Sequence, residues 1–216
     1  MNINYDFVKI IPKDKVGLMP DSDELHFKLI FEIPTGKIIG AQAIGKGNVD
    51  KRIDVIATMI TAKGTIEHLK DLELCYTPPL GSAKDVVNMA GYVASNVLHE
   101  TFKQVQITEM RELVENNAFI LDVREQDEWD DGHIINAKHI PLSELRKRMN
   151  EIPKDKPIYI HCRSGQRSYN AVLALQHNGY SDIYNVSRGF MGLSFNEYFL
   201  DKTLNRKAIV NKYDFK

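Results

Sequence analysis

The chain has 216 residues, 43% of them hydrophobic, which is enough for one large domain or two ordinary domains with their own cores. Its 28 Lys and Arg residues balance 29 Asp and Glu residues, so it lacks the basic surplus of a nucleic-acid-binding protein. No apolar run approaches the roughly 20 residues of a membrane span and the first residues are unlike a signal peptide, so we expect a cytoplasmic protein with no nucleic-acid or membrane partner.

The first hundred residues predict an α+β domain. Residues 25–33 alternate between apolar and polar side chains, residues 34–36 supply a turn, and a second apolar run extends to residue 44. This pattern is typical of an antiparallel hairpin. Apolar positions then recur at helical spacing over residues 49–60 and 83–98, which predicts two helices.

Neither a metal site nor a nucleotide site is indicated. Two cysteines, Cys75 and Cys162, are too few for a disulfide framework, and no metal-ligand spacing occurs. The sequence GKGN at residues 45–48 lacks the third glycine of a dinucleotide-binding loop, because residue 50 is Asp. We interpret it as a strand-to-helix turn and expect no cofactor on this chain.

The second half of the chain predicts an α/β domain. A polar stretch begins at Lys103, where we place the boundary between domains 1–102 and 103–216. Beyond Lys103, short apolar runs alternate with amphipathic segments. This alternation predicts a parallel sheet covered by helices. We expect Trp129 to lie in the core. The alternating segments are 108–115, 119–121, 142–149, 158–160, 168–177 and 183–186.

Cys162 lies between the end of a predicted strand and the start of a predicted helix, in the sequence HCRSGQRS at residues 161–168. Ligands of open parallel sheets bind at the carboxyl ends of strands, where Asp122 and Cys162 both lie. The unpaired N–H groups of a helix start favour an anion there. Because Arg163 and Arg167 add positive charge, we predict that Cys162 ionises readily and is a nucleophile. The alternative is a buried, inert cysteine.

The spacing of this loop separates two chemistries. Phosphatases that use a cysteine place five residues between the Cys and the Arg, whereas four residues separate Cys162 from Arg167 here. A shorter loop forms a tighter ring of backbone amides, sized for a single sulfur on the cysteine rather than for phosphate. We therefore predict persulfide chemistry, and an assignment as a phosphatase or arsenate reductase fails on loop length.

Over about residues 104–200, this part of the chain resembles the rhodanese family of sulfurtransferases. The loop, AFILDVR at 118–124 and EQDEWDDGHIINAKHIPL at 125–142 carry the resemblance. It implies that Cys162 takes up a sulfane sulfur as a persulfide and passes it to a thiol or cyanide. It also implies that Asp122 and Arg124 brace the active-site loop. That loop comprises Arg163, Ser164, Gly165, Gln166, Arg167 and Ser168.

The first domain resembles the dimerisation domain of the pyridine nucleotide-disulfide oxidoreductases, through residues 35–60 and 72–98. The order of the two domains is similar to that at the end of the coenzyme A-disulfide and coenzyme A-persulfide reductases. The resemblance implies a homodimer. It also implies that Tyr76, which precedes a Pro-Pro pair, reaches toward a cysteine in the partner's flavin domain, so that on this chain it is vestigial or acts in trans.

In that group an FAD domain and an NADH domain come first, and this chain contains neither, so we expect a truncated relative or a fragment of a longer protein. FAD and NAD(P)H are expected only if flavin domains are present elsewhere, with no oxidoreductase activity from this chain alone. The leading hypothesis is a rhodanese-type sulfurtransferase that uses small sulfur donors and thiol acceptors. The alternative is a non-catalytic dimerising adaptor or a regulatory remnant of a flavin-dependent disulfide reductase.

Overall fold

The computed structural model describes residues 3–215, which form two compact units that divide between Thr101 and Phe102. Each unit has its own sheet and its own hydrophobic core. The first sheet is antiparallel and the second is parallel, as the sequence predicts for an α+β domain followed by an α/β domain. Within the described residues, no helix is both long and apolar enough to cross a membrane.

The first unit packs helices against a three-stranded sheet in the order β1-β2-β3. Its elements are β1 (Tyr5–Ile10), β2 (His26–Glu32), β3 (Ile38–Ile44), α1 (Val49–Thr61), α2 (Ile66–Asp71) and α3 (Val86–Leu98). Along β2, Phe27, Leu29 and Phe31 are buried and their neighbours are half-buried, because one face of the sheet packs on the helices. The predicted hairpin and both predicted helices are present.

Two elements of this unit were missed and one helix start was wrong. In β1 only Val8 is fully buried, so the strand has little apolar alternation, and α2 has only six residues. The helix expected from residue 83 begins at Val86, because the carboxylate of Asp85 caps it by accepting the N–H of Val87 at 3.3 Å. Residues 45–48 form the predicted strand-to-helix turn.

A buried arginine ties the first unit together. Arg52 on α1 donates to both carboxylate oxygens of Asp85, at 2.9 and 3.3 Å. Its other N–H groups donate to the carbonyl oxygens of Asp14, Gly47 and Asn48. The buried guanidinium is therefore fully hydrogen-bonded, which offsets the cost of removing its charge from water.

The second unit has a five-stranded parallel sheet in the order β4-β8-β7-β5-β6. Its strands are β4 (Lys103–Val105), β5 (Phe119–Asp122), β6 (Lys138–His139), β7 (Ile158–His161) and β8 (Ile183–Val186). Its α-helices are α4 (Met110–Glu115), α5 (Gln126–Asp130), α6 (Gln166–Gln176) and α7 (Gly189–Leu204).

Several details of this unit differ from the prediction, which contains no counterpart of β6, α5 or α7. The segment 142–149 is not an α-helix: it forms short 3₁₀ turns at Leu145–Lys147 and Met149–Glu151, closed by hydrogen bonds such as that from Lys147 N–H to the carbonyl of Glu144. Strand β4 occupies the polar stretch that begins at Lys103, so the second unit starts just before it, one residue ahead of the predicted boundary. Helix α6 begins at Gln166 rather than Ser168, because Gly165 is its N-cap, so the last three residues of the active-site loop form the first turn of the helix.

Candidate functional site

Two neighbouring strands bring the predicted site residues together. β5 and β7 pair in parallel, with Asp122 opposite His161 at their carboxyl ends. Cys162 follows His161 directly, and Arg124 lies two residues after Asp122. One edge of the sheet therefore holds both the cysteine and the Asp-Arg pair.

The active-site loop encloses the sulfur of Cys162. Cys162 is buried, and its Sγ accepts the backbone N–H of Gly165 at 3.2 Å. The hydroxyl oxygen of Ser168 lies 3.5 Å from the same sulfur and 3.1 Å from the carbonyl oxygen of Gly165, so its single proton serves either acceptor. Gly165 has a φ of +112°, a conformation that favours glycine, and α6 begins directly after it. The sulfur thus lies against the N-terminal turn of an eleven-residue helix, where an anion is stabilised.

Helix α7 supports the loop backbone, a contact that the sequence analysis missed. The N–H of Phe190 donates to the carbonyl oxygen of Cys162 at 2.8 Å, and that of Met191 donates to Arg163 at 3.0 Å. Gly189 precedes them with a φ of +55°, and a Cβ there would overlap the carbonyl oxygen of Cys162. The first turn of α7 thus directs unpaired donors at the loop. The signal for this contact was Gly189 itself, just beyond β8.

Asp122 and Arg124 form a buried ion pair beside the loop. Nη2 of Arg124 lies 2.6 Å from Oδ2 of Asp122 and donates to the carbonyl oxygen of Gly132, also at 2.6 Å. The guanidinium carbon lies 4.1 Å from the centre of the Phe190 ring. The N–H of Phe190 donates to the carbonyl oxygen of Cys162, and its ring contacts Arg124. Phe190 therefore connects the ion pair to the active-site loop.

His161 completes this buried cluster. Its Nε2 lies 3.6 Å from Oδ2 of Asp122 and has no hydrogen-bond partner among residues 3–215. Burial lowers the pKa of His161, so the imidazole is neutral at neutral pH. Burial also acts to raise the pKa of Asp122, but the hydrogen bonds and the positive charge of Arg124 outweigh it and hold that pKa below its usual value. Asp122 therefore stays ionised and keeps Arg124 in place.

Arg163 and Arg167 of the active-site loop each lie beside a carboxylate. This corrects the prediction that their positive charge is in excess around Cys162. Arg167 donates through Nη1 and Nη2 to the two carboxylate oxygens of Glu128 on α5, at 2.6 and 2.7 Å. Burial acts to raise the pKa of Glu128, but hydrogen bonds from Arg167 and from the N–H of Glu125 hold it below its usual value. Nε of Arg163 lies 3.7 Å from Oδ2 of Asp214. The charge of each arginine is thus offset by a partner distant in sequence.

A cavity of about 100 Å³ lies beside the loop. It is lined by Arg124, Glu128, Asp131, Gly132, Arg163, Phe190 and Asp214. The lining therefore combines three carboxylates with two guanidinium groups. Its volume suits a small anion or the end of an unbranched chain.

Trp129 is half-buried and not part of the core, contrary to expectation. Its ring stacks between those of His133 and His139, with centroids 3.7 and 4.6 Å away. Nε2 of His139 lies 2.8 Å from the carbonyl oxygen of Arg124. The stack thus connects α5, which carries Glu128, to the chain at the end of β5.

The other predicted residues have more open surroundings. In the loop, Ser164 is half-buried and Gln166 is exposed. Tyr76 and Cys75 are exposed residues of the first unit. Among the residues that the structure describes, no three side chains of His, Cys, Asp or Glu converge as metal ligands would.

Two family models match the chain. Residues 106–195 match the rhodanese-like domain, and residues 2–86 match the dimerisation domain of the pyridine nucleotide-disulphide oxidoreductases. The chain is also similar to the YqhL protein of Bacillus subtilis, with 48% identity over 34% of this chain and 58% of that protein. Similarity to the coenzyme A disulfide reductase of Staphylococcus epidermidis, at 37% identity, covers 43% of this chain and 21% of that enzyme.

Two solved structures match across both units. Reduced CoADR-RHD of Bacillus anthracis matches with a TM-score of 0.82 and 46% identity, over 88% of this chain and 34% of that chain. The NAD-dependent persulfide reductase from A. fulgidus matches with a TM-score of 0.79 and 36% identity, over 87% and 34%. The chain thus spans about a third of each solved relative, and between 21% and 58% of the curated relatives named above.

Proposed function

Because this chain consists of a pyridine nucleotide-disulphide oxidoreductase dimerisation domain followed by a rhodanese-like domain, we propose that it is a sulfurtransferase that carries sulfane sulfur as a persulfide on Cys162. The geometry of the loop carries the proposal. The sulfur of Cys162 lies at the end of a parallel strand, accepts the N–H of Gly165 at 3.2 Å and adjoins a helix start.

The proposed reaction consists of two displacements at sulfur. In the first, the thiolate of Cys162 attacks the outer sulfur of a donor such as thiosulfate. The new S–S bond forms as the donor's S–S bond breaks, and sulfite leaves with the electron pair. In the second, an acceptor thiolate attacks the outer sulfur of the persulfide and departs as a persulfide itself, returning Cys162 to the thiolate. Each step balances without an external oxidant or reductant.

The surrounding groups have distinct roles in this proposal. The N–H of Gly165 and the helix start stabilise negative charge on the attacking sulfur and on the persulfide. The hydroxyl of Ser168 turns its proton toward the sulfur when the sulfur is charged. Phe190 and Met191 keep the loop backbone in place, and the ion pair of Asp122 and Arg124 positions Phe190.

Mass spectrometry of the intact protein tests the proposal. After incubation with thiosulfate or polysulfide, wild-type protein is expected to gain about 32 Da, one sulfur, at Cys162. The Cys162→Ser variant should show no gain and lose sulfur transfer by about 1,000-fold or more. Cys75→Ser is the matched control and should retain both properties. An adduct on Cys75, or unchanged turnover in Cys162→Ser, contradicts the proposal.

The first unit supports a second part of the proposal, that the chain is a homodimer. The match of residues 2–86 to a dimerisation domain supports it, and Leu18, Ile44 and Leu80 are apolar residues of that unit that are 90%, 75% and 57% exposed. Light scattering of the full chain at tens of micromolar is expected to give twice the chain mass. A dimer whose Cys162 takes up no sulfur would instead favour the alternative, a dimerising adaptor.

We further propose that any FAD or NAD(P)H chemistry belongs to flavin domains outside residues 1–216. Two matched relatives are named as reductases, of coenzyme A disulfide and of persulfide, and the chain covers 21% of the first and 34% of the second. The reducing cytoplasm would keep Cys162 and Cys75 as thiols. Titration with FAD, followed by the flavin absorbance that stays with the protein after gel filtration, should show no retained flavin.

A further inference from the structure

The segment after α7 lies beside the active-site loop, which it contacts at Arg163. We call residues 206–215 the closing segment. The N–H of Ile135 donates to the carbonyl oxygen of Ile209 at 2.9 Å, and the N–H of Asn211 donates to that of His133 at 3.0 Å. Farther on, Phe215 packs edge-on against Tyr198 of α7, with ring centres 4.8 Å apart. These contacts place the closing segment against the cavity beside the active-site loop.

Asp214 is the residue of the closing segment that enters the cavity lining. Its carboxylate lies 3.7 Å from Nε of Arg163, and the two side chains are 17% and 31% exposed. The other guanidinium of the lining, Arg124, is paired with Asp122 at 2.6 Å. Asp131 lies 3.9 Å from the exposed ammonium of Lys212. An anionic donor that enters this cavity therefore meets no surplus of positive charge.

We propose that Asp214 is a specificity-determining residue that selects sulfur donors by charge. It disfavours dianionic donors such as thiosulfate and favours donors whose sulfane sulfur is carried on an uncharged organic group. This inference rests on the proposed function. The physical reason is that Coulomb repulsion scales with the charge of the donor, so the repulsion energy of a dianion is twice that of a monoanion at the same place.

Two donors with the same reacting sulfur separate charge from chemistry. Thiosulfate carries two negative charges and releases sulfite, whereas methanethiosulfonate carries one and releases methanesulfinate. Both leave one sulfur on Cys162. If Asp214→Asn raises kcat/KM about threefold for methanethiosulfonate, the same potential change raises it about ninefold for thiosulfate. The preference between the two donors thus shifts about threefold toward thiosulfate, and the shift shrinks in high salt.

Two further variants serve as controls. Asp214→Glu keeps the charge and is expected to keep the wild-type preference. Asp155→Asn removes the same charge from an exposed position before β7, at the opposite end of that strand from Cys162, and should leave both donors unchanged. Equal changes for both donors in Asp214→Asn, or the same shift in Asp214→Glu, would overturn the inference.

Alkylation separates this inference from the proposed function, because it needs no sulfur transfer. The protein carries Cys75→Ser so that only Cys162 can react. Intact-mass spectrometry measures the rate at which Cys162 is alkylated by anionic iodoacetate and by neutral iodoacetamide. Asp214→Asn should raise the iodoacetate rate about threefold relative to iodoacetamide. If that ratio shifts but wild type transfers sulfur from neither donor, the proposed function fails and the charge selection by Asp214 stands. An unchanged ratio overturns the charge selection, and a Cys162 that reacts with neither reagent overturns both.

Discussion

Each unit contains a buried arginine-aspartate pair, and the two pairs connect different parts of their units. Arg52 and Asp85 are 33 residues apart and join α1 to the start of α3, with further hydrogen bonds to carbonyl oxygens of loops. Arg124 and Asp122 are two residues apart, so their contact closes no long stretch of chain. One face of that guanidinium instead packs on the ring of Phe190, whose N–H holds the loop of Cys162.

The difference shows how the same chemistry can serve the fold in one unit and the site in the other. A buried charge needs acceptors wherever it lies. In the first unit the acceptors come from segments that must be brought together for the unit to fold. In the second unit the carboxylate of Asp122 comes from the edge of the sheet where ligands of parallel sheets bind, and the carbonyl oxygen of Gly132 is the other acceptor.

Removing each arginine is the strongest test of this contrast. Arg52→Met is expected to cost about 3–5 kcal/mol of unfolding free energy, because Asp85 stays buried without its partner. Sulfur transfer per folded molecule should be unchanged. Arg124→Met should cost a similar free energy and also lower kcat/KM about tenfold or more, because Phe190 loses its support. Denaturant titration and donor kinetics on the folded fraction measure the two effects.

Lys103→Met is the control for this pair, since Lys103 forms an exposed ion pair with Asp182 and should lose no measurable stability. Loss of sulfur transfer in folded Arg52→Met, or unchanged transfer in Arg124→Met, would remove the distinction between the two pairs.

Glycines that pack closely give the next largest effects. In Gly189→Ala the new Cβ would overlap the carbonyl oxygen of Cys162, so the loop must move, and we expect sulfur transfer to fall about 100-fold. In Gly91→Ala the Cβ would lie 2.9 Å from Cβ of Leu69, where α3 packs on α2. That variant should lose about 2 kcal/mol of stability with no change in kcat. Similar kinetics for both variants would contradict the assignment of Gly189 to the site.

Much of this arrangement could be predicted from local sequence. The period of the apolar residues indicates the hairpin, the helices α1, α3 and α6 and three of the parallel strands, because each pattern reflects one face turned to a core. The sixteen-residue helix α7 was not predicted. The placement of Cys162 between a strand and a helix follows from its neighbours alone. Short elements such as α2 and β4 span too few residues to show a period.

The pairs that shape the charge of the site could not be predicted in the same way. Arg167 meets Glu128 from a position 39 residues away, and Asp214 meets Arg163 only because residues 206–215 fold back along residues 132–135. Nothing near either arginine in the sequence indicates a carboxylate partner. The sequence therefore predicts an excess of positive charge that the fold then offsets.

A smaller effect is expected from substitutions of exposed apolar residues, which should weaken the dimer in the first unit but not in the second. Ile44 ends the edge strand β3 of the first unit, and Phe199 is 62% exposed on α7 of the second. If the dimer forms through the first unit, Ile44→Lys should raise the dimer dissociation constant about tenfold, and Phe199→Lys should not. Analytical ultracentrifugation across a concentration series measures both. The reverse result would place the dimer contact on the second unit.

The smallest effect concerns the dependence of stability on pH. Glu128 and Glu67 both have a pKa below the ordinary value of 4.5: for Glu128, hydrogen bonds from Arg167 outweigh burial, and for Glu67 those from Lys70 and Ser95 are responsible. A carboxylate with a lowered folded pKa stabilises the protein fully above 4.5 and loses that contribution as the pH falls through the folded value.

We therefore compare unfolding free energies of wild type and Glu128→Gln from pH 7 to pH 3. The wild type should be more stable by about 0.5–1 kcal/mol at neutral pH, and the difference should vanish in acid, since both side chains are then uncharged. Glu67→Gln should show the same trend with a smaller amplitude, because its ion pair with Lys70 is more exposed. Only Glu128→Gln should also change sulfur transfer at pH 7, because it releases Arg167 in the loop of Cys162. A stability difference that grows in acid would mean that Glu128 is bound more tightly when protonated, the opposite of an ion pair.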